Sequence, residues 1–221
     1  MKAAGETSVA AFERATQRHG SLLQCWIRGQ AVVEYEHYPF DDVIDAASGS
    51  QYFYHAHRSA TAEHGHLHLF WHADALGRRA RRPRKRGARA RKSAWAPTHL
   101  AAIGLDDRGM PVSLFTVNRW VTGGHWFDAD RTRALLARFV LRAQGPYADA
   151  NRWLTAFVRF YRPLLAPLLQ ARDRRVARLT AARPWEAVAA DRRIEVLSHL
   201  AIDWARDLDV VEAEAAQRAV S

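Results

Sequence analysis

Cysteine is nearly absent from this sequence of 221 residues, and a long apolar run is missing altogether. The single cysteine, Cys25, cannot form an internal disulfide, and no Cys-x-x-Cys pair is present to build a thiolate zinc site or a redox motif. The most apolar stretch, 154–169, contains two arginines and two prolines, so it falls short of the ~18 uncharged residues of a membrane span. Near the N-terminus, Glu6 and Glu13 fall where a signal peptide would need apolar residues. We therefore expect a cytoplasmic protein, in a reducing compartment, without a membrane partner.

Apolar and aromatic side chains are present in the amounts that a folded domain needs. The chain is 48% hydrophobic and 25% charged and contains 8 tryptophans, which argues against disorder over its whole length. It has no internal repeat, so its length predicts a single domain over 1–221. It also lacks a Gly-x-Ser-x-Gly elbow, a Walker loop and a Gly-x-Gly-x-x-Gly fingerprint. Serine hydrolase, P-loop and dinucleotide chemistry therefore lose their usual support.

The positive charge is concentrated in one segment. Residues 78–92 hold ten bases and no acid, and the remaining 23 bases balance the 23 acids, so the whole formal excess of +10 lies in this basic run. Mutual repulsion predicts a solvated, disordered-looking loop at 77–93. Such a run attracts nucleic acid at low salt, although an insertion tolerated between two strands explains it as well. The bases that we predict for contact with nucleic acid or another polyanion are Arg78, Arg79, Arg81, Arg82, Arg84, Lys85 and Arg86.

The period of the hydrophobic pattern changes along the chain. Helical spacing over 7–19, followed by Gly20, predicts an N-terminal helix. Alternation and β-favouring residues then predict strands, with a polar turn at 106–109 between the last two. The predicted strands are 31–35, 51–57, 64–72, 99–105 and 112–118. Helical spacing returns from Asp130, and apolar residues three and four apart predict a last helix over 184–211.

These segments predict an α+β fold. We expect an antiparallel sheet of four to five strands packed against N- and C-terminal helices, with the apolar side chains of the strands facing the helices. Residues 37–42, which contain a proline and two aspartates, predict an irregular turn that leads into a short helical segment.

Histidines are concentrated in the first predicted hairpin. Seven of the 11 histidines fall within 37–72. Residues two apart in a strand share a face, so these imidazoles point away from the apolar side. In the simplest antiparallel register, opposite residue numbers sum to 121, which places His55 across from His66. The same register places His57 across from His64. Opposed residues have Cβ atoms ~5 Å apart, so four or five rings converge on one patch.

This convergence predicts a metal site. Neutral imidazole is a good ligand for zinc, iron and copper, and rings fixed on a sheet can hold a divalent transition metal while leaving a position for water or a substrate. The predicted ligands are His55, His57, His64, His66 and His68. Further ligands or hydrogen-bond partners could come from Glu63, Glu36, Asp45 and His37. A structural or proton-handling cluster, or a chance surface cluster, remains the alternative.

Two functions follow from these features. The first is a metal-binding protein, a metal-dependent enzyme if the ion activates water or oxygen or polarises an oxygen-bearing small-molecule substrate. The second is a nucleic-acid-associated module that binds through 78–92 and in which the histidines are structural.

Two sets of motifs resemble known families. The pattern Gly49-x5-His55-x-His57-x5-Glu63 is similar to the first metal motif of the cupin family, which implies iron, zinc or another divalent ion bound by two strand histidines and a glutamate. Its last interval is one or two residues longer than in cupins, and no second cupin motif follows. The segments 37–39, 51–58, 63–70 and 114–122 together look like an uncharacterised bacterial family of unknown function. That resemblance covers most of 30–130 and implies no activity.

Overall fold

A six-stranded antiparallel sheet forms the centre of the protein. The computed structural model describes residues 1–56, 63–72 and 97–220, so the basic run and its predicted loop lie outside the described residues. The strands are β1 Tyr38–Asp45, β2 Ser50–His55, β3 Gly65–Trp71, β4 Thr98–Leu105, β5 Pro111–Val117 and β6 Val196–Ala201. Each strand pairs with the next along the chain, so spatial order and chain order coincide.

Helices precede β1, lie between β5 and β6, and follow β6. They are α1 Lys2–His19, α2 Gln24–Ile27, α3 Arg119–Thr122, α4 Ala129–Ala137, α5 Ala148–Thr180, α6 Trp185–Ala189 and α7 Trp204–Val220, with a short 3-10 helix at Gly145–Tyr147. This arrangement confirms the predicted α+β class, with six strands rather than four or five. Among the described residues, none of the helices combines the length and the apolar character that a membrane crossing requires.

The main core lies between one face of the sheet and the helices. Tyr52 and Tyr54 of β2 project into this core, which also contains Trp26 of α2 and Trp153 and Phe157 of α5. The Trp26 ring stacks on Tyr54 at 5.8 Å between centroids, and its Nε1 donates a hydrogen bond to the Tyr52 hydroxyl at 3.1 Å. The opposite face of the sheet is thereby left to the histidines, as the alternation of β2 and β3 predicts.

Several predicted elements are confirmed. The N-terminal helix ends at His19, and Gly20 follows with φ 89°. The predicted hairpin strands appear as β2 and β3, and the next pair as β4 and β5. Between the last two, the Gly109 N–H donates to the Asp106 carbonyl oxygen at 3.0 Å, and Gly109 has φ 82°, which favours glycine. The turn at 106–109 is therefore confirmed.

The predicted start of the sheet is wrong. Residues 31–35 do not form a strand, and 37–42 do not form an irregular turn into a helical segment, since β1 spans Tyr38–Asp45. The Tyr38 hydroxyl explains the difference, since it accepts a hydrogen bond from Val33 N at 2.8 Å and donates one to Ala31 O at 3.2 Å. The segment before β1 therefore folds around a buried tyrosine instead of extending along the sheet.

The prediction of one helix over 184–211 is also wrong. This stretch forms α6, β6 and the start of α7. Strand β6 pairs with the edge of β5, with Leu200 opposite Leu114, and the hydroxyls of Ser198 and Thr116 lie 2.7 Å apart across the two strands. The apolar spacing of this stretch suits a strand as well as a helix, and the unpaired edge of β5 decides in favour of the strand.

Candidate metal centre

Strands β2 and β3 bring three histidines together. His55 lies directly opposite His66, in the predicted register, and His68 lies opposite Phe53. The Nε2 atom of His55 is 2.8 Å from Nε2 of His66 and 3.1 Å from Nε2 of His68. One ring nitrogen from each residue falls within 4.8 Å of the other two. We call His55, His66 and His68 the histidine triad.

The triad is buried and surrounded by aromatic rings. His66 and His68 are each 1% exposed and His55 is 9% exposed. The three imidazoles meet edge to face, with centroids 4.5 to 4.9 Å apart. Phe53 lies 5.3 Å from the His68 ring, and Phe115 of β5 lies 5.2 Å from the His66 ring. The converging nitrogens therefore lie in apolar surroundings, where an unmatched polar group is costly.

The far nitrogens of two triad rings have their own partners. Nδ1 of His66 lies 2.7 Å from Glu63 Oε1, and Nδ1 of His68 lies 3.0 Å from Nε2 of His99. A carboxylate accepts a hydrogen bond, so the proton of neutral His66 belongs on Nδ1 and its lone pair on Nε2. The lone pair of His66 thus points toward the centre of the triad. Metal-binding histidines have this arrangement, with the outer N–H held by a carboxylate, carbonyl or water.

The surroundings favour the neutral forms of His68 and His99. Burial, and then the imidazoles of His66, His99 and His55, hold the pKa of His68 well below its usual value. Burial, with the nearby charge of Arg172 and then His66, lowers the pKa of His99 to about 3. Burial has this effect because it disfavours the charged form of an imidazole. The neutral form of histidine is the form that binds a metal.

Hydrogen-bond donors and acceptors constrain what can lie among the three Nε2 atoms. Each neutral imidazole carries one N–H and one lone pair, and the His66 lone pair already faces inward. If the lone pair of His68 also faces inward, the single N–H of His55 has two acceptors to serve. A four-coordinate zinc ion bonds nitrogen at about 2.0 to 2.1 Å, which sets its nitrogen ligands about 3.3 Å apart. The observed separations of 2.8 and 3.1 Å need to widen by only a few tenths of an ångström. These two separations are therefore compatible with a bound ion.

Of the other predicted ligands, His64 lies away from the centre of the triad. His64 precedes β3, and its Nδ1 lies 2.5 Å from the Tyr54 hydroxyl, so its ring joins the helix side of the sheet. The physical reason is that the strand begins at Gly65, and the alternation of β3 does not extend to His64. His57 lies outside the described residues, as do the seven bases predicted to contact nucleic acid.

Of the four additional candidates, some lie near the triad and others do not. Glu63 contacts the triad through His66, as described above. His37 lies beside the triad. Its ring stacks on Phe53 at 3.6 Å between centroids, and its Nδ1 is 2.8 Å from Asp42 Oδ1. Asp45 instead accepts hydrogen bonds from Arg142 at the far end of β1. Glu36 lines a cleft of about 530 Å³ that also borders His37.

Sequence reasoning missed His99 as a neighbour of the triad. Ala101 pairs with Leu69, so strict alternation in a regular β3–β4 pair would turn His99 toward the helix side with Ala101. A register irregularity instead pairs His99 with Phe70. That irregularity turns the His99 ring toward His68. No local pattern in the sequence marks its position, since a bulge depends on how two strands meet.

Comparison with known proteins gives a family without a function. The chain belongs to the family described as a domain of unknown function (DUF6969), which matches residues 2–202 and so includes all six strands and the triad. This agrees with the resemblance to an uncharacterised family, whereas the likeness to cupins finds no counterpart. No curated protein matches the chain significantly, and no solved structure does.

Proposed function

We propose that the protein binds one divalent transition-metal ion through His55, His66 and His68. The observation that carries this proposal is the convergence of three Nε2 atoms, two of whose separations are 2.8 and 3.1 Å. It is supported by the burial of the rings and by the partners on the far nitrogens of two of them. Zinc, iron and copper all accept imidazole ligands, so the triad restricts the ion to this group.

The number of protein ligands favours a metal-dependent enzyme over a structural metal site. Three protein ligands leave at least one coordination position for water or a substrate, whereas structural zinc sites use four. The ion would supply activation of water or oxygen, or polarisation of an oxygen-bearing small molecule. The chain's own residues would hold the ion in apolar surroundings.

Metal content tests the site directly. We expect protein purified without an affinity tag, after supplementation with zinc, iron or copper, to hold about one ion per chain by elemental analysis. His55→Ala or His66→Ala should lower the affinity by about tenfold or more. His64→Ala is the matched control, because His64 contacts Tyr54 instead of the triad, and it should retain the ion. Tag-free wild-type protein that stays empty after supplementation would contradict the proposal.

A further inference from the structure

Glu63 lies behind one triad ring, at the nitrogen that does not face the centre. Its Oε1 accepts a hydrogen bond from His66 Nδ1 at 2.7 Å, and its Oε2 accepts one from Ser113 Oγ at 3.3 Å. Glu63 is 9% exposed, and Ser113 is 4% exposed. A carboxylate with so little access to water depends on such partners, and in return it fixes the angle of the His66 ring.

A glycine leaves room for this carboxylate. Gly104 of β4 lies opposite His66, and a Cβ atom at this position would overlap Glu63 Oε2 and Ser113 Oγ. Gly104 is not among the glycines with positive φ. Space, rather than backbone conformation, therefore accounts for a glycine here. The strand pairing, the glycine and the serine hydroxyl together hold the carboxylate against His66.

The outer partners of the triad differ in charge. His66 contacts a carboxylate through its Nδ1, whereas the corresponding nitrogen of His68 contacts the neutral imidazole of His99. A carboxylate on the outer nitrogen raises the basicity of a metal-binding imidazole. It also places a negative charge close to an ion that three neutral ligands leave uncompensated, and this attraction grows in proportion to the charge of the ion.

We propose that Glu63 is a positioning residue that makes the triad select a divalent ion over a monovalent one. The inference rests on the proposed metal site and assigns its charge preference to a residue that is not itself a ligand. Ser113 and Gly104 take part by holding the carboxylate in place, so each should influence metal affinity without touching the ion.

This role can be measured by comparing the affinities of the protein for Zn²⁺ and for Cu⁺. Each ion is titrated into the protein in competition with a chromophoric chelator, and Cu⁺ is titrated under anaerobic conditions. We expect Glu63→Gln to weaken Zn²⁺ binding by about 10- to 100-fold. The loss for Cu⁺ should be about the square root of that factor, because the ion carries half the charge. Gly104→Ala should reproduce this pattern by displacing the carboxylate. Asp45→Asn, which removes a buried carboxylate far from the triad, is the control and should leave both affinities unchanged.

The possible outcomes separate the two proposals. Equal losses for Zn²⁺ and Cu⁺ in Glu63→Gln, or no loss for Zn²⁺, would overturn the role of Glu63 while wild-type binding leaves the metal site intact. Wild-type protein that binds neither ion would overturn the metal site itself, and with it this inference. Glu63→Gln preserves the shape of the side chain, so this variant tests the role of the Glu63 charge even if Gly104→Ala does not fold.

Discussion

At the scale of single residues, the far nitrogen of each imidazole determines what the near nitrogen can do. The Glu63 carboxylate fixes the proton of His66 on Nδ1, which leaves a lone pair on the Nε2 that faces His55. His99 contacts His68 in the corresponding place. The orientation of the triad therefore depends on residues that never reach its centre.

Cys25 provides a test of the core on the helix side of the sheet. It is 2% exposed, and burial, followed by the nearby Asp149 carboxylate, raises the pKa of its thiol to about 12. The thiolate is the reactive form, so we expect Cys25 to remain unmodified when the folded protein meets iodoacetamide at pH 8. Mass spectrometry should detect the adduct only after denaturant is added. Alkylation of the folded protein at the rate of a free thiol would contradict this prediction.

Asp45 makes the stability of the protein depend on pH. Burial alone would raise the pKa of Asp45, but hydrogen bonds from the backbone N–H groups of Arg142, Ser48 and Ala47 and from the Arg142 side chain outweigh it and lower the pKa below its usual value. Because the folded state has the lower pKa, the stabilisation is complete above the unfolded value near 3.9 and is lost as pH falls through the folded value.

We expect Asp45→Asn to lower the free energy of unfolding by about 2 kcal/mol at pH 7, as urea denaturation would measure it. The difference from wild type should shrink as the pH falls below about 4 and disappear once the pH passes the lower pKa of the folded state, where the wild-type carboxyl takes up its proton. A difference that stays constant from pH 7 to pH 3 would show that the charge of Asp45 has no part in the effect.

The pairing of His55 with His66 could be predicted from the sequence, but the positions of some surrounding residues could not. Alternation in β2 and β3 and the length of the intervening loop predicted that His55 faces His66, because side-chain direction in a strand has a strict period of two. The departures of His64 and His99 could not be predicted. One depends on where β3 begins and the other on an irregularity between β3 and β4, and both are set by contacts distant in sequence.

At the scale of elements, the β2–β3 hairpin positions the triad and the flanking strands complete it. The strongly alternating strands were predicted because aromatic and branched residues follow the period of the sheet. Strand β1 was missed because buried Tyr38 reorganises the chain before it. Strand β6 was missed because its apolar pattern suits both a helix and a strand, and only pairing with the edge of β5 favours the strand.

The pairing of β5 with β6 can be tested through Thr116 and Ser198. Their hydroxyls lie 2.7 Å apart, and the two residues are 1% and 8% exposed. We expect a double-mutant cycle of Thr116→Val and Ser198→Ala to give a coupling free energy of about 1 kcal/mol by urea denaturation. Strictly additive effects would indicate that the two side chains do not meet, as a helix over 184–211 would require.

At the scale of the whole molecule, the two faces of the sheet have separate tasks. Packing of α1, α5 and the start of α7 on one face supplies the main core, so the polar rings on the other face are not needed for it. The pattern of apolar residues predicted this division, because helices must bury their apolar stripes against the sheet. A metal site can therefore lie on the second face without interrupting the main core.

The basic run gives a second, independent prediction. Residues 78–92 hold all of the formal excess of +10. We propose that they confer salt-sensitive, non-specific binding to nucleic acid, which the intact protein should show with a DNA duplex at low salt. Deleting them should abolish this binding and leave the metal content unchanged. If the deletion variant bound DNA as the intact protein does, the run would not be the contact.

Anomalous diffraction at the zinc edge, from crystals of the zinc-loaded protein, tests the metal site most directly. We expect one strong peak, about 2.0 to 2.1 Å from the Nε2 atoms of His55, His66 and His68. A peak bound by other residues, or no peak from crystals grown with excess zinc, would contradict the triad as a metal site.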